Sequence, residues 1–296
     1  MNLDTSKATP SSRPALLAGD EKRSVLSGIR RLGLAPLVAA LLLSLSLSIA
    51  ANFFLFKSSL LDVPMRLGQG LISGTLLANL GLILVVLVLC LGLWGGARAV
   101  DLGLRRRDLW PAVLVTFVTW LCLNLVSIAA VLFSSQGIQQ TSTFATAAAT
   151  RNALGELIGQ IFGNALYEEV LFRGILLVQI ALWLQARSTE HVRRTVFFAL
   201  LISQAIFALQ HIPNRLAFDQ WTSVAGAAAD LSGLFVSGLF FAGVFQRTRN
   251  LLIAVGMHTL ANLPTILVSG PDWVHPVVMA VAMLTLMAIG PRLSRE

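Results

Sequence analysis

From residue 32 to residue 56 the chain runs without a charged side chain. About 20 apolar residues in a helix span the hydrocarbon core of a bilayer, so this stretch is long enough to cross one. It also exceeds the 7–15 residues or so of a signal-peptide core, and no small-residue cleavage site follows it. Seven further apolar runs follow at about 71–94, 109–133, 152–184, 195–212, 223–245, 251–268 and 276–290. In lipid the backbone must satisfy its own hydrogen bonds, and runs of this length do so as helices. The expected fold is therefore all-α, a polytopic membrane bundle of about eight transmembrane helices, or seven if the short last run does not span.

Composition agrees with that reading. Hydrophobic residues make up 56% of the chain and charged residues only 12%, about half the charged share of a soluble domain. A soluble domain and a disordered chain are both excluded. The net charge of +8 would suggest nucleic acid in a soluble protein, but here the basic residues sit between apolar runs, where they orient helices. The expected partner is the lipid bilayer, with no nucleic acid. Alternating the loops between two sides puts 17 of the 22 Lys and Arg on one side, with Lys57, Arg66, Arg151 and Arg215 on the other and Arg173 inside a span. The positive-inside rule then predicts that both termini are cytoplasmic. Residues 1–31 read as a flexible cytoplasmic tail, residues 32–296 as one membrane domain, and His191 and His275 as ordinary loop residues. Cys90 and Cys122 lie in apolar runs without CxxC spacing, which supports neither a disulfide framework nor a thiolate metal site. Short loops and Ala/Leu-rich helices point to a prokaryotic plasma membrane, or to the endoplasmic reticulum in a eukaryote.

The informative residues are the polar ones inside spans, because a charge at the bilayer centre costs about 2.5–3.5 kcal/mol even on the lenient insertion scale. The fourth run holds Gln160, Asn164, Glu168, Glu169 and Arg173, the fifth ends in Gln204 and His211, the sixth holds Asp230, and the seventh holds His258 and Asn262. Residues four apart share a helix face, whereas neighbours point about 100° apart. Glu169 therefore faces Arg173 as a structural ion pair, and Glu168 points elsewhere, in line with Asn164, Gln160 and Glu156. The neighbouring face carries Gly155, Gly159 and Gly163, a doubled GxxxG that admits a close helix. This helix is expected to sit deep in the bundle with its polar face on a wet cavity ending at Glu168. His258 and Asn262 share a face of the seventh helix, as Phe207 and His211 do on the fifth. Asp230 belongs to no motif and is expected either to line the cavity or to pair with a neighbour.

Glu168 to Arg173 reads EExxxR, Phe207 to His211 FxxxH, and His258 to Asn262 HxxxN. In that order, each on its own span, they resemble the three motifs of the CPBP (Abi) family of intramembrane proteases, which includes the type II CAAX prenyl endopeptidases and bacteriocin-processing or self-immunity proteins. The resemblance covers about residues 150–265, the expected protease core. It implies an endopeptidase acting on a membrane-associated or lipidated peptide. Glu168 would be the catalytic carboxylate, His211 would help it activate water, His258 with Asn262 would stabilise the oxyanion, and Glu169 with Arg173 would support the site. The resemblance implies no cofactor. The residues themselves leave a zinc triad of Glu168, His211 and His258 open, against which stand the lack of HExxH and the presence of Asn262. Two other functions use the same buried groups: a proton-coupled transporter, disfavoured by the absence of repeated halves, and a non-catalytic immunity or scaffold protein.

Overall fold

The computed structural model describes residues 29–133, 140–187 and 192–293. The tail reading for residues 1–28 and the loop reading for His191 lie outside these described residues. All eight apolar runs are helical. We number them α1 (Leu34–Leu55), α2 (Gly74–Trp94), α3 (Leu109–Phe133), α4 (residues 147–185), α5 (Val192–Leu209), α6 (Val224–Thr248), α7 (Leu251–Asn262) and α8 (Val274–Leu293). Among the described residues there is no strand, only a single antiparallel bridge between Gln140 and Val268. Five helices, α1, α2, α3, α5 with its continuation to Ala217, and α6, are long and apolar enough to cross a membrane, and α7 and α8 are further apolar helices. The chain is a multi-pass membrane protein.

Side-chain placement is that of a protein dissolved in lipid. On α3, Trp110, Leu114, Phe117, Leu121 and Leu125 face outward, while Thr119, Leu123, Asn124, Ser127 and Val131 are buried. Small and polar groups thus make the helix–helix contacts, and bulky apolar ones meet the acyl chains. Several helix starts are fixed by a preceding side chain that accepts an otherwise unpaired backbone N–H: Ser73 for α2, Thr146 for α4, Ser223 for α6 and Asn250 for α7.

Helix α4 is the centre of the bundle and packs on α2, α5 and α7. Its glycine face meets α2 and the turn before it. A Cβ on Gly155 would strike the Gly70 carbonyl oxygen, one on Gly159 would come within 2.5 Å of Ser73 Oγ, and one on Gly163 would lie 3.2 Å from Asn79 Cβ. Two stretches of α4, Gln160–Asn164 and Glu169–Leu177, are wound more widely than an α-helix, a local unwinding that recurs at functional sites.

Two helix boundaries differ from the sequence reading. Helix α5 starts at Val192 and ends at Leu209, so His211 sits in the turn that leads into a short helix, Ile212–Ala217, instead of within the span. Helix α7 stops at Asn262, not near residue 268, because Leu263 leaves the helical region ahead of Pro264. The short α7 is also anchored deep. Asn250 donates to the Asp108 carbonyl (2.7 Å), and Leu251 packs against Gly103 and Gly174. Its first turn is level with Gly174, 11 residues before the end of α4, or about 16 Å at 1.5 Å per residue. That offset brings His258, only seven residues into α7, to the depth of His211 beyond the end of α5.

Candidate active site

Three helices and one turn bring the motif residues together. Glu169 and Arg173, one turn apart on α4, are completely buried and paired at 3.0 Å. The guanidinium lies over the Phe207 ring (4.1 Å to its centroid) and near that of Phe241 (5.5 Å), and it donates to the Gly238 carbonyl at 3.4 Å. Gly238 leaves room for it, since a Cβ there would crowd Gln204, Phe207 and Arg173. Burying an arginine in lipid is tolerable only with such compensation by a carboxylate and aromatic faces.

His258 joins this buried pair. Its Nδ1 lies 2.7 Å from Glu169 Oε1, and its ring stacks on Phe241 with centroids 4.5 Å apart and planes 13° from parallel. Glu169 Oε1, which also pairs with Arg173, accepts the Nδ1–H, and Nε2 is the opposite edge of the ring. That edge faces Glu168, 3.6 Å from Oε2. The same Glu168 oxygen is 3.9 Å from His211 Nε2. His211 is oriented by the same logic: its Nδ1 lies 2.8 Å from the Phe207 carbonyl, which can only accept, so Nδ1 donates and Nε2 is the edge turned to Glu168. Phe207 also meets the His211 ring edge-on, with centroids 4.7 Å apart. Glu168 Oε2 itself has no hydrogen-bond partner. Two imidazole Nε2 atoms thus flank one unpartnered carboxylate oxygen.

Glu168 stands in the wall of a cavity of about 380 Å³, 14% exposed against 18% for His211 and 3% for His258. The polar face of α4 lines it through Gln160, Asn164 and Glu168, together with His211 and Asn262. Asn262 donates to Gln160 Oε1 at 3.2 Å, so His258 and Asn262 face Glu168 and Gln160 in turn from α7. Asp230 binds Arg215 (2.8 Å) and Trp221 Nε1 (3.1 Å), and Arg215 is the member of that group that lines the cavity. His275 hydrogen-bonds the Leu260 carbonyl at the end of α7 (3.0 Å). Among the described residues no group of three or more His, Cys, Asp or Glu side chains is arranged to hold a metal ion.

Three features went unrecognised in the sequence. The Glu169–His258 hydrogen bond links two motifs that were read separately. Tyr167 is buried beside Glu168 and donates to Ser44 Oγ (2.7 Å). Helix α1, which carries no motif, supplies a cavity wall through Ser44, Ser48 and Asn52. Their four-residue spacing was a visible polar stripe in an otherwise apolar span.

Residues 150–264 match the family model described as type II CAAX prenyl endopeptidase Rce1-like. No curated protein matches the chain, and no solved structure does. The matched segment contains Glu168, Glu169, Arg173, His211, His258 and Asn262, the same residues that converge in space. Residues 150–264 are thus similar to type II CAAX prenyl endopeptidase Rce1-like domains, a likeness that supports the CPBP family of intramembrane proteases for this segment of the chain.

Proposed function

We propose that the protein is an intramembrane endopeptidase that hydrolyses a peptide bond in a membrane-associated or lipidated protein, using Glu168 as the general base. The observation that carries the reading is the unpartnered Glu168 oxygen flanked by the Nε2 atoms of His211 and His258 at 3.9 and 3.6 Å. A carboxylate oxygen and an imidazole lone pair are both acceptors, and two acceptors at this separation suit the two hydrogens of one water. That water keeps a lone pair for the scissile carbonyl. Glu168 takes its proton as the new C–O bond forms and returns it to the leaving amine as the C–N bond breaks. His258, held between Glu169 and the cavity, turns Nε2, and Asn262 its Nδ2–H, toward the negative charge that develops on the carbonyl oxygen. Glu169 and Arg173 position His258 and do not touch the substrate. The amides of Asn52, Asn79, Asn164 and Asn214 in the cavity wall suit the backbone of an extended peptide.

The reading assigns catalysis to a core at about residues 150–265 within a membrane domain of residues 32–296, and it needs no metal. Its test is turnover by purified Glu168→Gln and His211→Ala, each checked for parent-like folding. Both should lose turnover, and full activity in either sinks the assignment. Metal analysis of the active protein should find no stoichiometric zinc; one zinc per chain, lost together with activity on chelation, would replace the water-activating pair by a metal site.

A further inference from the structure

The cavity and the basic loops lie at opposite ends of the bundle. At one end, Gln179 near the end of α4 donates to the Arg30 carbonyl (3.0 Å), and Arg30 in turn donates to the Gly96 carbonyl past the end of α2. There too Asn250 binds Asp108, and Arg247 donates to the Met287 carbonyl of α8 (2.7 Å). At the other end Asn214 binds Asn52 (2.9 Å), and Thr141 donates to the Ile266 carbonyl (2.8 Å). Among the described residues, 12 Lys and Arg belong to the segments at the first end and only Lys57, Arg66, Arg151 and Arg215 to those at the second. The cavity is built at the second end. Its walls are α1 from Ser44 onward, α2 up to Leu82, the turn with His211 and Arg215, and Asn262 at the end of α7. Among the described residues none of the Lys and Arg of the basic end lines it, and the one lining cation is Arg215.

Basic loops stay in the cytoplasm, and here, among the described residues, they carry an excess of 12 to 4. We propose that the cavity opens on the non-cytoplasmic face of the membrane, so that the substrate is a polypeptide segment already carried across it: an exported peptide or the outer end of a membrane protein. A lipidated tail lying on the cytoplasmic leaflet would meet the basic end of the bundle, away from the residues that line the cavity. The substrate class rests on the proteolytic reading above; the side from which the cavity is reached does not.

The test is site-directed labelling in a variant whose two cysteines, Cys90 and Cys122, are replaced by Ala. Ser48→Cys and Thr75→Cys place thiols in the cavity wall, and Arg187→Cys, on the exposed turn after α4, marks the basic end. Each variant is first required to match the parent in detergent gel filtration. A membrane-impermeant maleimide should label positions 48 and 75 in intact spheroplasts and position 187 only in inverted vesicles. Labelling of 48 and 75 only in inverted vesicles, or equally from both sides, overturns the proposal. The readout needs no substrate. Reversed labelling with Glu168-dependent turnover intact would overturn the access side alone, and lost proteolysis with the expected labelling would overturn the protease reading alone.

Discussion

Replacing Glu169 by Gln keeps the length of the side chain and its ability to accept from His258, but removes the charge 3.0 Å from the fully buried Arg173. Breaking a buried pair on one side costs about 3–5 kcal/mol, because the remaining charge is left uncompensated. The aromatic faces of Phe207 and Phe241 remain over the guanidinium and retain about 1–2 kcal/mol of cation–π stabilisation. The expected loss for Glu169→Gln is therefore at the lower edge of that range, about 3 kcal/mol. Adding Arg173→Met removes the orphaned cation at similar volume and should return stability to within about 1 kcal/mol of the parent. Activity should behave differently. In both variants a neutral amide replaces the carboxylate against His258 Nδ1, which weakens the polarisation of the ring toward the cavity, so turnover should fall by about 10²–10⁴-fold and stay low in the double variant. Unfolding of the purified protein by titrated SDS measures the first quantity and cleavage in the same detergent the second. A Glu169→Gln protein as stable as the parent refutes the buried-pair account. A double variant with full turnover refutes the need for a carboxylate against His258 Nδ1.

Further outcomes follow from the packing and the loops. Gly155→Ala should destabilise by about 1–3 kcal/mol, since its Cβ meets the Gly70 backbone, whereas Gly163→Ala, facing Asn79 Cβ at 3.2 Å, should cost less; paired SDS titrations decide the order. Single cysteines at 156, 160 and 164 in a cysteine-free background should react with water-soluble thiol reagents in the folded protein, and resistance at all three would remove the wet polar face of α4. Asp101, in the loop between α2 and α3, is held below the usual carboxylate range chiefly by its hydrogen bond from Arg98. Its contribution to stability should be present above about pH 4, the ordinary Asp value, and be lost as pH falls through its lowered value. Asp101→Asn should flatten that acid limb of the stability profile.

Helical periodicity made the faces of the site legible. The 100° step between neighbours separated Glu168 from Glu169, and the four-residue spacing paired Glu169 with Arg173 and His258 with Asn262. The glycines at 155, 159 and 163 marked the close approach that α2 fills. What periodicity does not contain is which faces meet. The hydrogen bond from His258 to Glu169 depends on the rotation and depth of α7 against α4, set by the anchoring of Asn250 and Leu251 far from either residue. The pairing of Asp230 with Arg215 likewise joins α6 to the short helix after α5. The boundary of α7 could have been read locally, since Pro264 takes Leu263 out of the helix. Ser44, Ser48 and Asn52 were overlooked because a lone polar stripe in an apolar span is as compatible with helix packing as with a cavity wall.

The central claim, that Glu168 drives hydrolysis of a peptide in the membrane, is tested most directly by comparing protein and peptide termini in host membranes carrying the parent protein or Glu168→Ala at matched levels. The account predicts a set of new termini present only with the parent, from segments on the non-cytoplasmic side. Identical termini in the two membranes, with both proteins folded and abundant, would contradict it and leave Glu168 as a structural or proton-carrying residue.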